Sequence, residues 1–361
     1  MLESFEMKIK SVALTNFRNH IDTTVTLGDG VNVFIGNNAQ GKTNLLESIY
    51  LTCVGRGWRT NRDKDMINFD QDFARVKTTA EKSYGDVDVE IKLSKSEKKS
   101  IKINGIPIQK MGELMGQINC VFFSPDELKL VKEAPKDRRR FLDIDLSQID
   151  KNYFYALVRY NKILAQRNAL LKSASGSLDA ELDIWDLELA KQGTIIINKR
   201  ILFLGRLRSE VEKVHNFLTS SVEQIGLEYE GCVGGKNVET ALLAALHEAR
   251  GRDMRLRTTT VGPHRDDICI LINGKDVRTF GSQGQQRTVA LSIKLAELVI
   301  FKEETGEMPV LLLDDVLSEL DPQRQERLFK AIRRCQSIIT TANDIELVNI
   351  EKYYIKDGKI V

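Results

Sequence analysis

The chain has 361 residues, of which 42% are hydrophobic and 29% charged, an ordinary globular composition with length for two or three domains. Basic residues barely outnumber acidic ones, 53 against 51, so any nucleic-acid surface must be a local patch. No apolar run approaches the ~20 residues of a membrane span, and the N-terminus lacks the basic and apolar regions of a signal peptide. The five cysteines form no C-x-x-C pair, which fits a reducing cytoplasm and argues against a zinc site or a disulfide framework.

The N-terminal third of the chain is β-rich, because apolar and polar residues alternate along it. The predicted strands cover residues 8–14, 25–35, 75–93 and 99–103, with turns at residues 84–85 and 104–105. An Asn-Gly pair at the second turn is typical of a tight hairpin.

Residues 36–43, Gly-Asn-Asn-Ala-Gln-Gly-Lys-Thr, match the P-loop pattern and lie between a predicted strand and a predicted helix over residues 44–52. The two glycines let backbone N–H groups converge on phosphate oxygens, and the helix N-terminus adds to this anion site. Lys42 is expected to reach the β- and γ-phosphates, and the Thr43 hydroxyl to ligate Mg²⁺. The predicted ATP-binding residues are Gly36, Asn37, Asn38, Ala39, Gln40, Gly41, Lys42, Thr43, Asn44 and Arg59.

A helical region follows the β-rich part. Apolar residues at spacings of three and four predict one amphipathic helix over residues 137–172. Residues 173–177, Ser-Ala-Ser-Gly-Ser, predict a flexible turn, and a second helix is predicted over residues 178–218 with interruptions at Gly193 and Gly205. The apolar stripes indicate the buried face of a small helical bundle, since a projecting coiled coil needs more heptads.

The last part of the chain returns to strands. Strands are predicted at residues 258–261 and 268–272, on either side of Gly-Pro-His-Arg-Asp-Asp at 262–267. Residues 309–315 form a short apolar run ending in two aspartates, as expected of a parallel strand buried on both faces. A helix over 322–334, a strand over 336–341 and a closing segment over 353–361 follow.

The acidic end of the apolar run predicts a Walker B element. A carboxylate at the C-terminal end of a buried parallel strand lies where an α/β sheet holds its ligand. Asp314 is therefore expected to orient Mg²⁺ through a water, and Asp315 to polarise the attacking water. The predicted catalytic residues are Lys42, Asp314 and Asp315, with Thr43 and Asp314 at the metal.

Two further motifs look like the signature motif and the D-loop of ABC-type ATPases. The signature-like residues are Ser282, Gln283, Gly284 and Gln285, and the D-loop, residues 318–321, ends in Asp321. A serine hydroxyl, a glycine amide and a helix N-terminus form a second anion site. Since the P-loop already covers one side of the phosphates, this site would serve a partner's nucleotide in a head-to-tail dimer. Ser282 taken alone is typical of a helix cap.

A long insert separates the P-loop from the signature motif. It is longer than in transporter cassettes and shorter than the coiled coils of SMC proteins and Rad50. The predicted fold class is α/β: a Rad50-like ABC-type ATPase head, made of a P-loop sheet and a β-rich subdomain, with an inserted helical arm. The predicted domains are residues 1–124 and 256–361 for the head and residues 125–255 for the arm.

The whole chain resembles the RecF family of bacterial DNA replication and repair proteins. Beyond the ATPase motifs, the resemblance rests on residues 14–19, 55–60, 124–127, 138–143, 262–267 and 318–321. It implies a weak, DNA-dependent ATPase that dimerises with ATP on double-stranded DNA near single-strand gaps. It also implies work with RecO and RecR in loading RecA, and Met7 as the usual start, with residues 1–6 an extension.

Two positions depart from the common ABC pattern. Asp315 stands where most of these ATPases have glutamate, and its shorter side chain holds water less closely, which predicts slow hydrolysis suited to a timed switch. No histidine occupies the switch loop, where Asn343 could hydrogen-bond the γ-phosphate without carrying charge. No Q-loop glutamine is identified around residues 122–125.

Basic residues at the two ends of the arm predict a phosphate-binding, sequence-independent DNA surface. The predicted contacts are Arg138, Arg139, Arg140, Arg252 and Arg255, for which a solvated helix face is the alternative interpretation. Arg59 is expected to brace phosphate or base, unless it is simply a surface arginine. His264 is expected from the residues alone to be a hydrogen-bonded structural histidine, and from the resemblance to lie near the nucleotide or the interface.

Two other functions remain open at this point. A nuclease-linked ATPase would carry an additional carboxylate or histidine cluster for two metals, whereas the arm's acids look like a solvated helix start. A structural, SMC-like DNA-binding ATPase without RecO or RecR partners has the same motifs, because partner surfaces leave no local signature.

Overall fold

The computed structural model describes residues 7–173, 179–220, 222–345 and 350–361. The fold of these residues is α/β, which confirms the predicted class. The described strands are β1 (Lys8–Phe17), β2 (His20–Thr26), β3 (Val31–Ile35), β4 (Phe73–Lys82), β5 (Gly85–Ser94), β6 (Ser100–Ile103), β7 (Ile106–Pro107), β8 (Cys120–Phe123), β9 (Ile225–Glu230), β10 (Asp267–Ile272), β11 (Lys275–Asp276), β12 (Val310–Asp314), β13 (Ser337–Thr341), β14 (Ile350–Lys356) and β15 (Lys359–Ile360). The described α-helices are α1 (Lys42–Val54), α2 (Lys129–Lys132), α3 (Pro135–Ile149), α4 (Lys151–Ser173), α5 (Asp179–Thr219), α6 (Val238–Leu256), α7 (Val277–Phe280), α8 (Gln283–Thr305) and α9 (Pro322–Ala331).

The chain divides into two compact units. The head unit comprises Met1–Leu128, Lys213–Val222 and Thr288–Val361, and the arm unit comprises Lys129–Glu212 and Glu223–Arg287. The first division lies close to the expected one near residue 125. The second differs, because residues 256–287, expected in the head, belong to the arm unit. The arm unit is also not purely helical, since β9, β10 and β11 form a three-stranded sheet in it.

A six-stranded sheet in the order β15-β14-β3-β13-β12-β8 forms the centre of the head unit. Its strands from β14 to β8 are parallel, and β15 pairs antiparallel at the edge. Every residue of β12 and β13 is buried, as the continuous apolar runs predict for parallel strands covered on both faces. Strand β13 lies between β3 and β12, so the P-loop and the Walker B acids follow strands that are two places apart.

The other six-stranded sheet of the head unit has the order β2-β1-β4-β5-β6-β7 and confirms the predicted meander. Its last turn places Asn104 and Gly105 at positive φ, 50° and 79°, as a tight Asn-Gly hairpin requires. The single strand expected over residues 25–35 is wrong, because β2 and β3 belong to different sheets. The Asn32 side chain bonds to both the N–H and the C=O of Gly28, at 2.7 and 2.9 Å, and fixes the turn between them.

The single helix expected over residues 137–172 is wrong as well, because α3 ends at Ile149 and α4 begins at Lys151, with Asp150 between them. Asp150 has extended backbone angles, φ −137° and ψ 104°. Its Oδ1 accepts hydrogen bonds from the backbone N–H groups of Asn152 and Tyr153, at 2.8 and 3.2 Å. The carboxylate therefore caps the new helix, and the apolar spacing continues across the break only because both helices bury one face.

Helix α5 is continuous, so the interruptions expected at Gly193 and Gly205 are wrong. The strand expected over residues 258–261 is also absent: Thr259 and Thr260 direct their backbone N–H groups to the side chains of Asn168 and Asp253 instead of to a strand. Of the flexible turn expected at 173–177, only residue 173 is described, at the end of α4, and residues 1–6 also lie outside the described ranges. No helix in the described ranges is long and apolar enough to cross a membrane.

Candidate nucleotide-binding site

The P-loop connects β3 to α1 with backbone angles that few residues adopt. Gly41 has φ +115° and Ala39 has φ +66°. A Cβ on Gly41 would lie 2.9 Å from the Asn19 Nδ2 and the His20 Nε2 atoms, so a side chain there is excluded by contact as well as by φ. The glycine is required because the loop turns against the residues that support it.

That support comes from the turn between β1 and β2, which the sequence reasoning did not assign to the site. The Asn19 side chain donates to the Gln40 carbonyl at 3.1 Å and accepts from the Asn44 side chain at 2.7 Å. The ring nitrogens of His20 lie 3.0 Å from the Gly41 carbonyl oxygen and 2.8 Å from that of Gly358. Burial lowers the pKa of His20, although both carbonyls act in the opposite direction. The available signal was Asn19 itself, at the end of the 14–19 stretch.

Lys42 is the first residue of α1 and turns back over the loop. Its ammonium donates to the carbonyl oxygens of Gly36 and Asn37, at 2.6 and 2.8 Å. Burial lowers the pKa of Lys42, while the carboxylates of Asp315 and Asp314 act to raise it. The Lys42 ammonium is thus held at the loop, where a bound anion would offset the free-energy cost of burying its charge.

Asp314, at the end of β12, connects the Walker B element to the P-loop. Its Oδ1 accepts from the Thr43 hydroxyl at 2.8 Å and from the Thr340 hydroxyl at 2.7 Å. Burial raises the pKa of Asp314, while the hydrogen bonds from Thr340 and Thr43 and the charge of Arg59 act to lower it. The predicted metal-binding residues, Thr43 and Asp314, are therefore in direct contact.

Asp315 has a left-handed backbone conformation, φ +50°, which is uncommon for a residue with a side chain but tolerated by aspartate. Its N–H lies 3.2 Å from the Thr340 carbonyl oxygen and 3.0 Å from the Thr340 hydroxyl oxygen. Its Oδ1 is buried and has no hydrogen-bond partner among the described residues. A buried carboxylate oxygen of this kind indicates a site where a water or a ligand belongs.

Most of these groups line one cleft of about 370 Å³, within the range of small-molecule sites. It is lined by Asn19, Asn38, Ala39, Gly41, Lys42, Thr43, Asn44, Arg59, Asp315 and Thr340. The remaining predicted P-loop residues, Gly36, Asn37 and Gln40, take part through their backbone carbonyls, which accept from Lys42 and Asn19. The structure thus assembles the expected residues and adds Asn19 and Thr340.

Arg59 reaches the cleft from the loop after α1 and is held there by a buried acid. Glu47 of α1 is fully buried, and its Oε2 accepts from Arg59 Nε at 3.2 Å and from Arg18 Nε at 3.0 Å. The terminal nitrogen of Arg59 also contacts Glu47 and the Asn44 side chain. Arg59 is therefore not a freely solvated surface arginine, because two side chains of the P-loop helix orient it.

ATP and Mg²⁺ fit this donor set. Lys42 and the N-terminus of α1 suit phosphate oxygens, and the hydroxyl of Thr43 and the carboxylate of Asp314 are oxygen ligands of the kind that Mg²⁺ prefers. The unpartnered Oδ1 of Asp315 can accept from a water. No described group of three or more His, Cys, Asp or Glu side chains is arranged to hold a metal ion elsewhere.

The other predicted head residues occupy loops near the ends of strands and helices. Asp321 caps α9 by accepting from the Arg324 N–H at 3.0 Å and pairs with the Arg324 guanidinium at 3.1 Å. Asn343 follows β13, is exposed, and is not among the residues that line the cleft. Its N–H donates to the Thr341 hydroxyl at 3.3 Å.

The signature-like residues belong to the arm unit and open α8. The Ser282 hydroxyl accepts from the Gln285 N–H at 3.2 Å, and the Gln285 side chain accepts from the Ser282 N–H at 2.8 Å. This reciprocal pair is a capping box, so Ser282 does cap its helix. Ser282 and Gln283 are exposed, and Gln285 also donates to Glu223 at 2.9 Å.

The five predicted DNA-contacting arginines differ in exposure. Arg138 is only 3% exposed and makes a two-pronged ion pair with Asp267, at 2.6 and 2.8 Å, so its selection as a DNA contact was wrong. Arg139 is partly buried and donates to the Asp266 carbonyl at 2.7 Å, and burial lowers its pKa. Arg140 is partly buried, whereas Arg252 and Arg255 are exposed on α6. The arginines at the start of α3 thus largely hold the arm unit together.

His264 has the structural role that the residues alone predict. Its Nδ1 lies 2.7 Å from the Tyr160 hydroxyl and its Nε2 3.1 Å from the Thr259 carbonyl oxygen. Burial lowers the pKa of His264 to about 4. All these groups lie in the arm unit, where the Gly-Pro-His-Arg-Asp-Asp stretch connects several helices.

Comparison with known proteins gives one consistent family. The RecF/RecN/SMC N terminal domain family matches residues 8–355. The chain is 45% identical to the DNA replication and repair protein RecF of Clostridium tetani, over 98% of this chain and 97% of that protein. It is 43% identical to RecF of Alkaliphilus oremlandii, over 98% of this chain and 100% of that protein.

Solved structures give the same result. The recombination mediator protein RecF-ATP of the RecFOR pathway is similar with a TM-score of 0.93 at 37% identity, over 100% of this chain and 98% of that chain. The corresponding RecF-ATPrS structure has a TM-score of 0.91 at 38% identity, over 99% and 98% of the two chains. An SMC head domain from Pyrococcus furiosus, at 16% identity, has a TM-score of 0.59 over 98% and 96% of the two chains, a likeness of fold alone.

Proposed function

The chain belongs to the RecF family, and from this premise we propose that it is an ATP-gated DNA clamp of recombinational repair. One observation carries the proposal: Lys42, Thr43 and Asp315 line a single cleft in the head unit, and a hydrogen bond joins Thr43 to Asp314. ATP hydrolysis follows from membership of this ABC-type ATPase family. The direction of the cycle, with ATP closing the clamp and hydrolysis opening it, is the proposal.

Each residue of the cleft has a distinct part in this cycle. Lys42 and the loop N–H groups hold the β- and γ-phosphates, and Arg59, oriented by Glu47, braces the nucleotide from the side. Thr43 and Asp314 hold Mg²⁺, which when bound neutralises phosphate charge during phosphoryl transfer. Asp315 orients the attacking water through its unpartnered Oδ1, and its short side chain makes hydrolysis slow.

Dimerisation places the exposed Ser282, with Gly284, against the nucleotide of a second copy in this proposal. The N-terminus of α8 supplies the anion site, and Asp321 couples the two sites across the interface. The closed dimer is retained on double-stranded DNA beside single-strand gaps in the cytoplasm. By analogy with the solved RecFOR-pathway relatives, RecO and RecR are its partners. The family resemblance implies that together they load RecA.

Sedimentation velocity with and without Mg·ATP tests the dimer. We expect wild type to become a dimer only with ATP, and Ser282→Arg to bind ATP yet remain a monomer. Because Arg also removes a helix cap, Ser282→Asp is the decisive variant: aspartate keeps the cap but repels a partner's γ-phosphate. Ser96→Arg, on an exposed turn of the head unit, is the control and should dimerise. A dimer formed by Ser282→Asp, or loss of ATP binding in the monomer, would refute the signature assignment.

A further inference from the structure

Thr340 occupies the point between the two predicted halves of the ATPase motif. It is the fourth residue of β13, the strand between β3 and β12, and it pairs with Phe34 on one side and Asp314 on the other. Its side chain is fully buried yet lines the nucleotide cleft. The sequence analysis assigned it no role, because the Walker patterns contain only residues that follow β3 and β12, and the switch loop that follows β13 was represented by Asn343.

The Thr340 hydroxyl makes one hydrogen bond to each Walker B residue. It donates to the Asp314 Oδ1 at 2.7 Å and accepts from the Asp315 N–H at 3.0 Å. A hydroxyl has a single proton, so the donation to Asp314 leaves only lone pairs to face the Asp315 amide. The two bonds thus fix the Asp314 carboxylate and the Asp315 peptide relative to one another.

The backbone of Asp315 explains why such a bridge is needed. Its φ of +50° is the left-handed region, which a residue with a side chain keeps only when its surroundings hold it there. The Thr340 hydroxyl and carbonyl both hold the Asp315 N–H, and the carboxylate is left with a buried, unpartnered Oδ1. Without the hydroxyl, the Asp315 N–H keeps only the longer hydrogen bond, to the Thr340 carbonyl at 3.2 Å.

We propose that Thr340 is a positioning residue for ATP hydrolysis, whose hydroxyl bridges the Asp314 carboxylate and the Asp315 backbone N–H and so holds the two residues relative to one another. The inference rests on the proposed function, since it assumes that Mg·ATP is hydrolysed in this cleft. Thr340 touches neither phosphate nor metal in this role and acts through the two aspartates. Residues that orient metal ligands typically change metal affinity or activity by about 10- to 100-fold when replaced.

Thr340→Val tests the bridge, because valine keeps the shape of threonine and removes only the hydroxyl. We expect the single-turnover hydrolysis rate to fall about tenfold, and the Mg²⁺ concentration that half-saturates ATP binding to rise about tenfold. ATP affinity measured in EDTA should stay within about twofold of wild type, because Lys42 and the loop amides are untouched. Thr340→Ser, which keeps the hydroxyl, should recover most of both losses.

Thr78→Val is the matched control, because Thr78 is also a fully buried strand threonine of the head unit whose hydroxyl accepts from Thr52. Equal losses in Thr78→Val, an unrecovered Thr340→Ser, or a Thr340→Val variant with wild-type rate and Mg²⁺ dependence would each overturn the proposal. The last result, in a protein that still dimerises with ATP, would leave the proposed function standing. A wild type that neither hydrolyses ATP nor dimerises would remove both.

Discussion

At the scale of single residues, His264 shows how a buried polar group makes the stability of the protein depend on pH. The Thr259 carbonyl can only accept, so Nε2 carries a proton, and in the neutral ring Nδ1 then accepts from the Tyr160 hydroxyl. Burial raises the pKa of Tyr160 far above its ordinary range, so this hydroxyl keeps its proton and remains a donor. Burial also lowers the pKa of His264 to about 4 from 6.5.

The sign of the resulting pH dependence follows from these two values. Between pH 6.5 and about 4 the unfolded chain takes up a proton at this histidine and the folded chain does not. The stability that His264 contributes is therefore complete above pH 6.5 and is lost as the pH falls. From pH 7 to pH 5 the loss is about 2 kcal/mol in the free energy of unfolding.

Urea unfolding at pH 7 and pH 5 measures this contribution. Glutamine cannot titrate, so His264→Gln should show a smaller fall in unfolding free energy between the two pH values than wild type, by about 2 kcal/mol. His247→Gln, which removes a histidine at an exposed position of α6, is the comparison variant. An unchanged dependence in His264→Gln would show that another group is responsible.

The residue scale also separates what local patterns can and cannot predict. Lys42 and Thr43 were predicted because the P-loop places consecutive residues around the phosphates. Thr340 and His20 were not, because their contacts with Asp314 and Gly41 join segments that are far apart in the chain. The exclusion of Arg138 from the DNA surface likewise depends on Asp267, which the sequence places in another element.

At the scale of secondary-structure elements, the two glycines of α5 have opposite environments. A Cβ on Gly193 would lie 2.6 Å from the Leu242 Cδ2 atom and 3.4 Å from atoms of Pro263 and Tyr160. A Cβ on Gly205 would have no atom within 4 Å. Both glycines were expected to interrupt the helix, but an α-helix tolerates glycine at a cost of about 1 kcal/mol relative to alanine. The two positions therefore differ in packing and not in secondary structure.

This difference predicts opposite effects of the same substitution. Gly205→Ala should raise the free energy of unfolding by about 0.5–1 kcal/mol, since alanine is the better helix former and the site is open. Gly193→Ala should lower it by about 1 kcal/mol, because Leu242 is fully buried and displacing it outweighs the gain in helix propensity. Chemical denaturation of the two variants decides the question, and stabilisation by Gly193→Ala would contradict the packing argument.

The predicted element boundaries were wrong where a side chain, and not another backbone group, accepts the hydrogen bond of a backbone N–H. The Asp150 carboxylate starts α4 in the middle of a continuous apolar pattern, and the Asp253 carboxylate holds the backbone of Thr260 where a strand was expected. Periodicity reports only which face is buried, and β-branched threonines favour strands in any context. Such local hydrogen bonds depend on side chains that reach back from neighbouring elements.

At the scale of the whole molecule, the exposed arginines of α6 are the best remaining candidates for DNA contact. Arg252 and Arg255 are exposed, and Arg252 donates to the Thr260 hydroxyl at 2.8 Å, which orients it without neutralising its charge. The proposed function, at gaps of any sequence, requires contacts to phosphate and not to base edges. Phosphate contacts of this kind are identified by their salt dependence.

Replacing both arginines by glutamate should weaken binding to double-stranded DNA and lower the slope of log affinity against log salt by about two. The control is Arg333→Glu with Arg334→Glu, an exposed pair in the head unit that gives the same change of net charge. Fluorescence anisotropy across a salt series gives the slope. Equal slopes for the two double variants would mean that α6 makes no phosphate contact.

By itself, the sequence determined the fold class, the chemistry of the nucleotide site and the likeness to one family. Those features depend on residues within short motifs, whose spacing carries the information along the chain. Only the tertiary structure decided that Thr340 bridges the Walker B aspartates, that Arg138 is buried, and that the signature residues belong to the arm unit. These outcomes depend on strand order and on contacts between distant segments, which no local spacing encodes.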